Sequence, residues 1–292
     1  MYEESSDEKT LCGTTGETAV KTKLYSKSGI ISGKTRTTPG TSSGYREPDL
    51  VAGSGSSYDA KDTYYKTILG DTGTKEQLAE LFADEYKAMI ESVSKYGGFY
   101  IGRYELSEAG VQKDKATLTN TNWYNLYKKC KELNASDKVE TRMIWGCQWD
   151  VTMNWLISSG AKTSDEVNKD SSTWGNYSNY NTANNYTEGT TGYEKNAGSL
   201  QNTGSSENWK ANNIYDLAGN CYEWTQEAYN TYKRADRGGY YNGFGSNGPA
   251  SARSIDNPDY SDYAVLRFSS HFNNKVTLDS RAWAPVRRII AK

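Results

Sequence analysis

The stretch that decides the reading is "NNIYDLAGNCYEWTQEAYNTYKRADRGGYYNGFGSNGPASAR", residues 212–253. It opens on an acid-containing turn and closes on a run of Tyr, Asn, Ser and Gly. Asp216 and Glu223 flank the pair Gly219-Asn220. A chain that folds back at Gly-Asn brings the two carboxylates together, with main-chain carbonyls from between them pointing inward. Hard oxygen ligands of mixed carboxylate and carbonyl type suit Ca²⁺. The same spacing also describes a tight turn whose acids cap backbone N–H groups.

Outward from this stretch, the totals set bounds. The net charge is −2 and charged residues are 24% of the chain, so no global electrostatic pull toward nucleic acid or an anionic membrane is expected. Aromatic residues reach 13%, with 24 tyrosines, which predicts an aromatic core under a polar, loop-rich shell. No stretch approaches the ~18 apolar residues of a membrane span. The N-terminal "MYEESSDEKTLCG" is acidic and shows no apolar signal core, which leaves open a removed export signal, a cytosolic protein or one that rides on something larger. Cys12, Cys130, Cys147 and Cys221 form no C-x-x-C pair, which leaves a zinc knuckle or thioredoxin motif unsupported.

Residues 1–60 are rich in Gly, Ser, Thr and Lys and read as an N-terminal arm or edge strands, with one main domain over 61–292. "TKEQLAELFADEYKAMIESVSKY" predicts a helix over 74–96, with Leu78, Leu81, Phe82, Met89, Ile90 and Val93 on one face. Thr74 with Gln77 forms a capping-box signature, and Gly97-Gly98 stops the helix. "FYIGRYELS", 99–107, alternates like a strand. A second helix is predicted over 121–134, with Trp123, Leu126, Tyr127, Cys130 and Leu133 on one side. "RMIWGCQWDVTMNWLIS" reads as a buried helix in its second half. From 160 to 210 the chain is Asn/Tyr/Thr-rich without helical period and reads as a long surface insertion. Asn134, Asn176 and Asn185 begin N-x-S/T sequons.

Several chemistries lack their residues. His271 is the one histidine, too few for a histidine-ligated metal site, and no G-x-S-x-G elbow accompanies it. Gly243, Gly245 and Gly248 match G-x-G-x-x-G in form, but Pro249 follows and no helix pattern opens there.

"NNIYDLAGNCYEWTQE" resembles the N-x-x-G-L-Y-D-M-x-G-N-V-W-E-W-T signature of the formylglycine-generating-enzyme, or sulfatase-modifying-factor, superfamily. Further matches follow in the expected order. "GGFYIGRYELS" (97–107) resembles the opening strand, "WYNLYKKCKELN" (123–134) the following helix, and "RMIWGCQWDVTMNWL" (142–156) the R-L-P-T-E segment. "RADRGGYY" (234–241) resembles V-x-R-G-G-S-W, Ser251-Ala252-Arg253 an R-x-A-x-R step, and "AVLRF" (264–268) stands where G-F-R falls. "APVRRIIAK" resembles the closing strand.

The resemblance implies an α+β, C-type-lectin-like fold with long loops and little regular secondary structure. It implies a structural Ca²⁺ with Asp216 and Glu223 as side-chain ligands and Gly219 and Cys221 as carbonyl ligands. The oxidase members use two late cysteines for copper, and the related iron-dependent sulfoxide synthases use a histidine cluster. This chain has no cysteine after Cys221 and a single histidine, so a non-enzymatic member is expected, with a metal-dependent oxidase as the alternative.

The non-catalytic branch resembles variable proteins of diversity-generating retroelements, which vary a surface patch near the C-terminus. The expected contact residues are Tyr240, Tyr241, Asn242, Phe244, Ser246, Asn247, Asp256, Tyr260, Asp262 and Tyr263. Tyr supplies area with few rotors while Ser, Gly and Asn adapt. The expected partner is a protein or glycan, met at a bacterial cell surface or by a phage particle, with no nucleic acid and no membrane span.

Overall fold

Thr74 and Gln77 form the reciprocal cap that their spacing demands. Gln77 N donates to Thr74 Oγ1 at 3.2 Å, and Thr74 N donates to Gln77 Oε1 at 3.0 Å. The computed structural model describes residues 2–5, 8–11, 20–23, 66–96, 98–133, 139–230, 233–259, 264–272 and 283–287. Within them the architecture is mixed helix and sheet, with small and mainly antiparallel sheets.

After a single turn, α1 (Lys66–Leu69), the capped helix α2 runs Lys75–Tyr96 and buries Leu78, Phe82, Tyr86 and Met89. Leu81 and Val93 of the expected stripe are partly buried, and the Ile90 side chain lies outside the described set. Helix α3 (Trp123–Glu132) starts at Asn122, whose side chain accepts from Asn125 N at 2.9 Å. It buries Trp123, Leu126, Tyr127 and Cys130, and Phe82 of α2 meets the Trp123 and Tyr127 rings edge-on at 5.7 and 5.1 Å. Helix α4 (Gly146–Ser158) is buried on several sides, which is why its sequence shows no clean stripe. Two short helices follow, α5 (Ser164–Asn168) and α6 (Tyr180–Ala183).

Near the N-terminus, β1 (Tyr2–Ser5), β2 (Glu8–Leu11) and β3 (Val20–Lys23) form one antiparallel sheet in that order. A second sheet combines β4 (Gly98–Gly102), β5 (Val139–Met143), β12 (Phe268–Phe272) and β13 (Trp283–Arg287) in the order β13-β4-β12-β5. The "APVRRIIAK" tail thus supplies a strand, with Ala284 opposite Ile101. A hairpin of β6 (Lys210–Ala211) and β7 (Ile214–Tyr215) turns at Asn212 and Asn213, both with positive φ (48° and 61°), as a two-residue type I′ turn requires. The last sheet contains β8 (Tyr222–Asn230), β9 (Lys233–Arg237), β10 (Arg253–Asp256) and β11 (Ala264–Leu266) in the order β10-β9-β8-β11, with β11 parallel to β8.

The segment 160–210 departs from its surface-insertion reading. It is mostly turns, yet Trp174, Tyr177, Tyr180 and Trp209 are buried, and Trp174 and Tyr177 pack in the cluster that holds Trp149 and Met153 of α4. Periodicity finds regular elements and is blind to aromatic residues that fill a core from irregular backbone. The Asn176 sequon is buried, its amide bonded to Ser199 O and Asn220 Oδ1, whereas Asn185 is exposed and Asn134 lies outside the described residues. Among the described residues, no helix is long and apolar enough to cross a membrane.

Candidate functional site: the acidic turn and the loop it supports

The acidic turn folds back as its composition demands. Gly219 has φ +72°, and a Cβ there would come within 2.1 Å of the Asn176 carbonyl, so glycine alone fits. Asp216 and Asn220 also take positive φ, both 58°. The turn brings Asp216 and Glu223 into one buried cluster and adds two groups from distant chain, Glu105 and Arg267. Arg267 Nε donates to the two Glu223 oxygens at 3.0 and 2.7 Å, and its other nitrogens donate to Gly102 O at 2.8 Å and Tyr215 O at 2.7 Å. Glu105 accepts from Asn220 Nδ2 at 2.6 Å and Cys221 N at 3.2 Å. Asp216 Oδ2 accepts from Gly204 N at 2.7 Å, while Oδ1 has no hydrogen-bond partner.

Burial pushes all three carboxyls upward. Asp216 reaches about 7, and Glu105 rises well above the usual carboxylate range, helped by the charges of Asp216 and Glu223. Glu223 is raised by burial although Arg267 opposes the shift. Gly219 N donates to Gly238 O at 2.7 Å, and burial drives the Cys221 thiol well above its ordinary value. A divalent cation fits this donor set poorly. Both oxygens of Glu223 already meet a guanidinium, which competes there with any cation. The turn as it stands is an arginine-neutralised staple between β4, β7 and β8.

A second buried charge cluster fixes the other side of β8 and β9. Arg237 donates to Asp150 at 2.7 Å and Glu227 at 3.2 Å, and Arg253 donates to the same two acids. Two guanidinia and two carboxylates alternate in a closed, neutral ring, the arrangement that makes buried charge tolerable. The R-G-G and Ser-Ala-Arg motif arginines are therefore scaffold.

Between these clusters the chain leaves β9 as the loop 238–250. Gly239 has φ +75°, and its Cβ position lies 2.3 Å from Gly248 O, so the loop's two ends touch. The buried Tyr177 hydroxyl sits 2.8 Å from Gly238 O and 2.7 Å from Gly248 O. Ser178 N and Oγ both donate to Gly243 O, and Gly245 N donates to Ser172 Oγ at 3.1 Å. Ala250 N donates to Ser171 Oγ, and Ala250 O accepts from Trp149 Nε1, each at 2.9 Å. The backbone is held from beneath while the side chains at the tip face outward.

Of the expected contact residues, Asn242, Phe244, Ser246 and Asn247 are exposed on this loop. Tyr240 and Tyr241 are half-buried; Tyr240 stacks on Tyr222 at 5.0 Å and meets Tyr241 edge-on at 6.0 Å. Asp256 is half-buried on β10, opposite Arg234 in register. Tyr260, Asp262 and Tyr263 lie outside the described residues. Beside the tyrosine stack, Asp236 is buried and its carboxyl is pushed up to about 8, by burial first and then by the charge of Asp256.

Residues 171–178, which hold the loop, and the exposed Leu200 were absent from the sequence reading of the site. Only the aromatic content of "WGNYSNY" hinted at a role for that segment. No protein-family model matches the chain, and no curated protein matches it.

Proposed function

We propose that the protein is a non-enzymatic binding protein, a C-type-lectin-like platform that presents the 240–247 loop to a ligand at a bacterial surface or from a phage particle. One observation carries this reading. Phe244 keeps 52% of its surface exposed on a loop whose backbone is tied down by buried Tyr177, Ser171 and Ser172. An apolar ring held rigidly in water gains free energy by being covered, and the rigid backbone lowers the entropy lost on binding. The neighbouring Asn and Ser side chains can pair with either donors or acceptors. The oxidase alternative calls for accessible thiolates. Among the described residues, Cys130, Cys147 and Cys221 are buried, and burial pushes the Cys130 and Cys221 thiols up, away from the thiolate form; Cys12 lies outside the described residues. A retroelement-diversified loop is part of the same proposal, since substitutions at exposed tips leave the ties beneath them intact.

The test is labelling of a panel of bacterial and animal cells by the purified fluorescent protein. It is compared with a variant carrying Asn242→Ala, Phe244→Ala, Ser246→Ala and Asn247→Ala. Loss of labelling at an unchanged melting temperature supports the reading; equal labelling by both proteins rejects it.

A further inference from the structure

We infer that the contact face is composite, formed by the 240–247 loop together with the segment ending at Leu200, and that it takes a neutral oligosaccharide. The inference rests on the binding reading above. Among the described residues, the exposed large hydrophobic side chains are Phe244, at 52%, and Leu200, at 38%. Two residues tie their segments together. Ser178 N and Oγ donate to Gly243 O at 3.0 and 2.9 Å, and a Cβ on Gly198 would lie 2.9 Å from Ser178 Cα. Asn220 accepts from Gln201 N through Oδ1 and from Tyr241 N through its main-chain carbonyl, each at 3.0 Å. Leu200 lies between Gly198 and Gln201, and Phe244 follows Gly243. Both side chains are thus carried on strips of backbone anchored to the same two residues.

Charge and area decide the class of ligand. The exposed polar side chains of the two strips, Ser199, Asn242, Ser246 and Asn247, and of Ser178, which holds the loop, are hydroxyls and amides. Such groups donate and accept as sugar hydroxyls do. The face of a phenyl ring is negative and attracts the C–H edges of a pyranose. A nucleic acid or sulfated chain would instead call for lysine or arginine at the centre. A stable protein partner covers about 800 Å² on each side around an apolar core. Two part-exposed apolar side chains match one or two sugar rings more closely.

The experiment probes the full chain on an array of neutral, sialylated and sulfated oligosaccharides at low and high salt, beside Phe244→Ala and Leu200→Ser. The expected result is binding to neutral oligosaccharides that salt leaves unchanged. Each substitution should weaken it about tenfold or more, at an unchanged melting temperature. Binding confined to the anionic sugars, neutral binding that both variants retain, or no binding at all overturns the inference. The labelled cells then separate this inference from the reading beneath it. Labelling that needs Phe244, is destroyed by protease treatment of the cells and survives periodate leaves the contact surface standing and makes its partner a protein. Labelling indifferent to the loop removes both.

Discussion

The hydroxyl of Tyr177 lies 2.7 Å from the main-chain carbonyl of Gly248, so a buried ring from an irregular segment fastens the far end of the exposed loop. The same hydroxyl reaches Gly238 O at 2.8 Å, where the loop begins. Its single proton is shared between two carbonyls that have left the β9 ladder. Tyr177→Phe keeps the ring and deletes this tie. The expected cost is about 1 kcal/mol in urea unfolding, because Gly248 O loses its donor while Gly238 O keeps the one from Gly219 N. Amide exchange across 238–248 should quicken while exchange in α2 and α3 is unchanged. Equal exchange in the loop would mean that other contacts hold it.

Arg267 and Glu223 are both fully buried, so their pairing leaves no room for half a pair. Arg267→Met should destabilise the fold by about 3–5 kcal/mol, the usual cost of stranding a buried charge. Adding Glu223→Met should recover part of that loss, since the stranded carboxylate is then removed. A double variant no more stable than the single one would show that Arg267 acts mainly through Gly102 O and Tyr215 O.

Calcium offers a direct contrast. The guanidinium already supplies positive charge at Glu223, so millimolar calcium or its chelation should leave the melting temperature of the wild type unchanged. A clear calcium-dependent rise, lost in Glu223→Gln, would instead show that the ion displaces or joins the arginine.

Asp236 makes stability depend on pH. Its carboxyl is raised from 3.8 to about 8 in the folded chain by burial and by Asp256. Below the ordinary carboxylate range, folded and unfolded chains both hold this proton and the contribution is fully present. Between pH about 4 and 8 the unfolded chain ionises while the folded one keeps its proton. The unfolded state then binds fewer protons, so stability falls as pH rises through this window. Asp236→Asn should be close to wild type at pH 4, more stable at pH 8, and flatter between them in thermal melts. A wild type whose stability does not fall over that range would place the Asp236 titration elsewhere.

Local physics made a good part of the framework legible. The helix stripe of Leu78, Phe82 and Met89, the Thr74–Gln77 cap and the Trp123–Cys130 face follow from spacing, because a helix presents one face every three or four residues wherever it packs. The Gly219-Asn220 bend is local as well: few residues accept positive φ, and the acids on either side converge once the chain reverses. What the acids then met was not local. Arg267, between β11 and β12, and Glu105, in the irregular chain after β4, arrive from far along the sequence, and a guanidinium can neutralise a carboxylate where spacing alone equally admits a metal ion.

The residues between 171 and 209 show the limit most plainly. Trp174, Tyr177 and Trp209 are buried without any repeat in the sequence, since irregular backbone has no period to betray its inner face. The sequence alone determined that a tyrosine- and asparagine-rich loop follows an acid turn and an R-G-G bend. Only the tertiary structure decided that Tyr177 and Ser178 hold this loop and that Gln201, next to Leu200, and Tyr241 are tied to the same Asn220. Those neighbours are set by hydrogen bonds between segments far apart in the chain, which no local preference encodes.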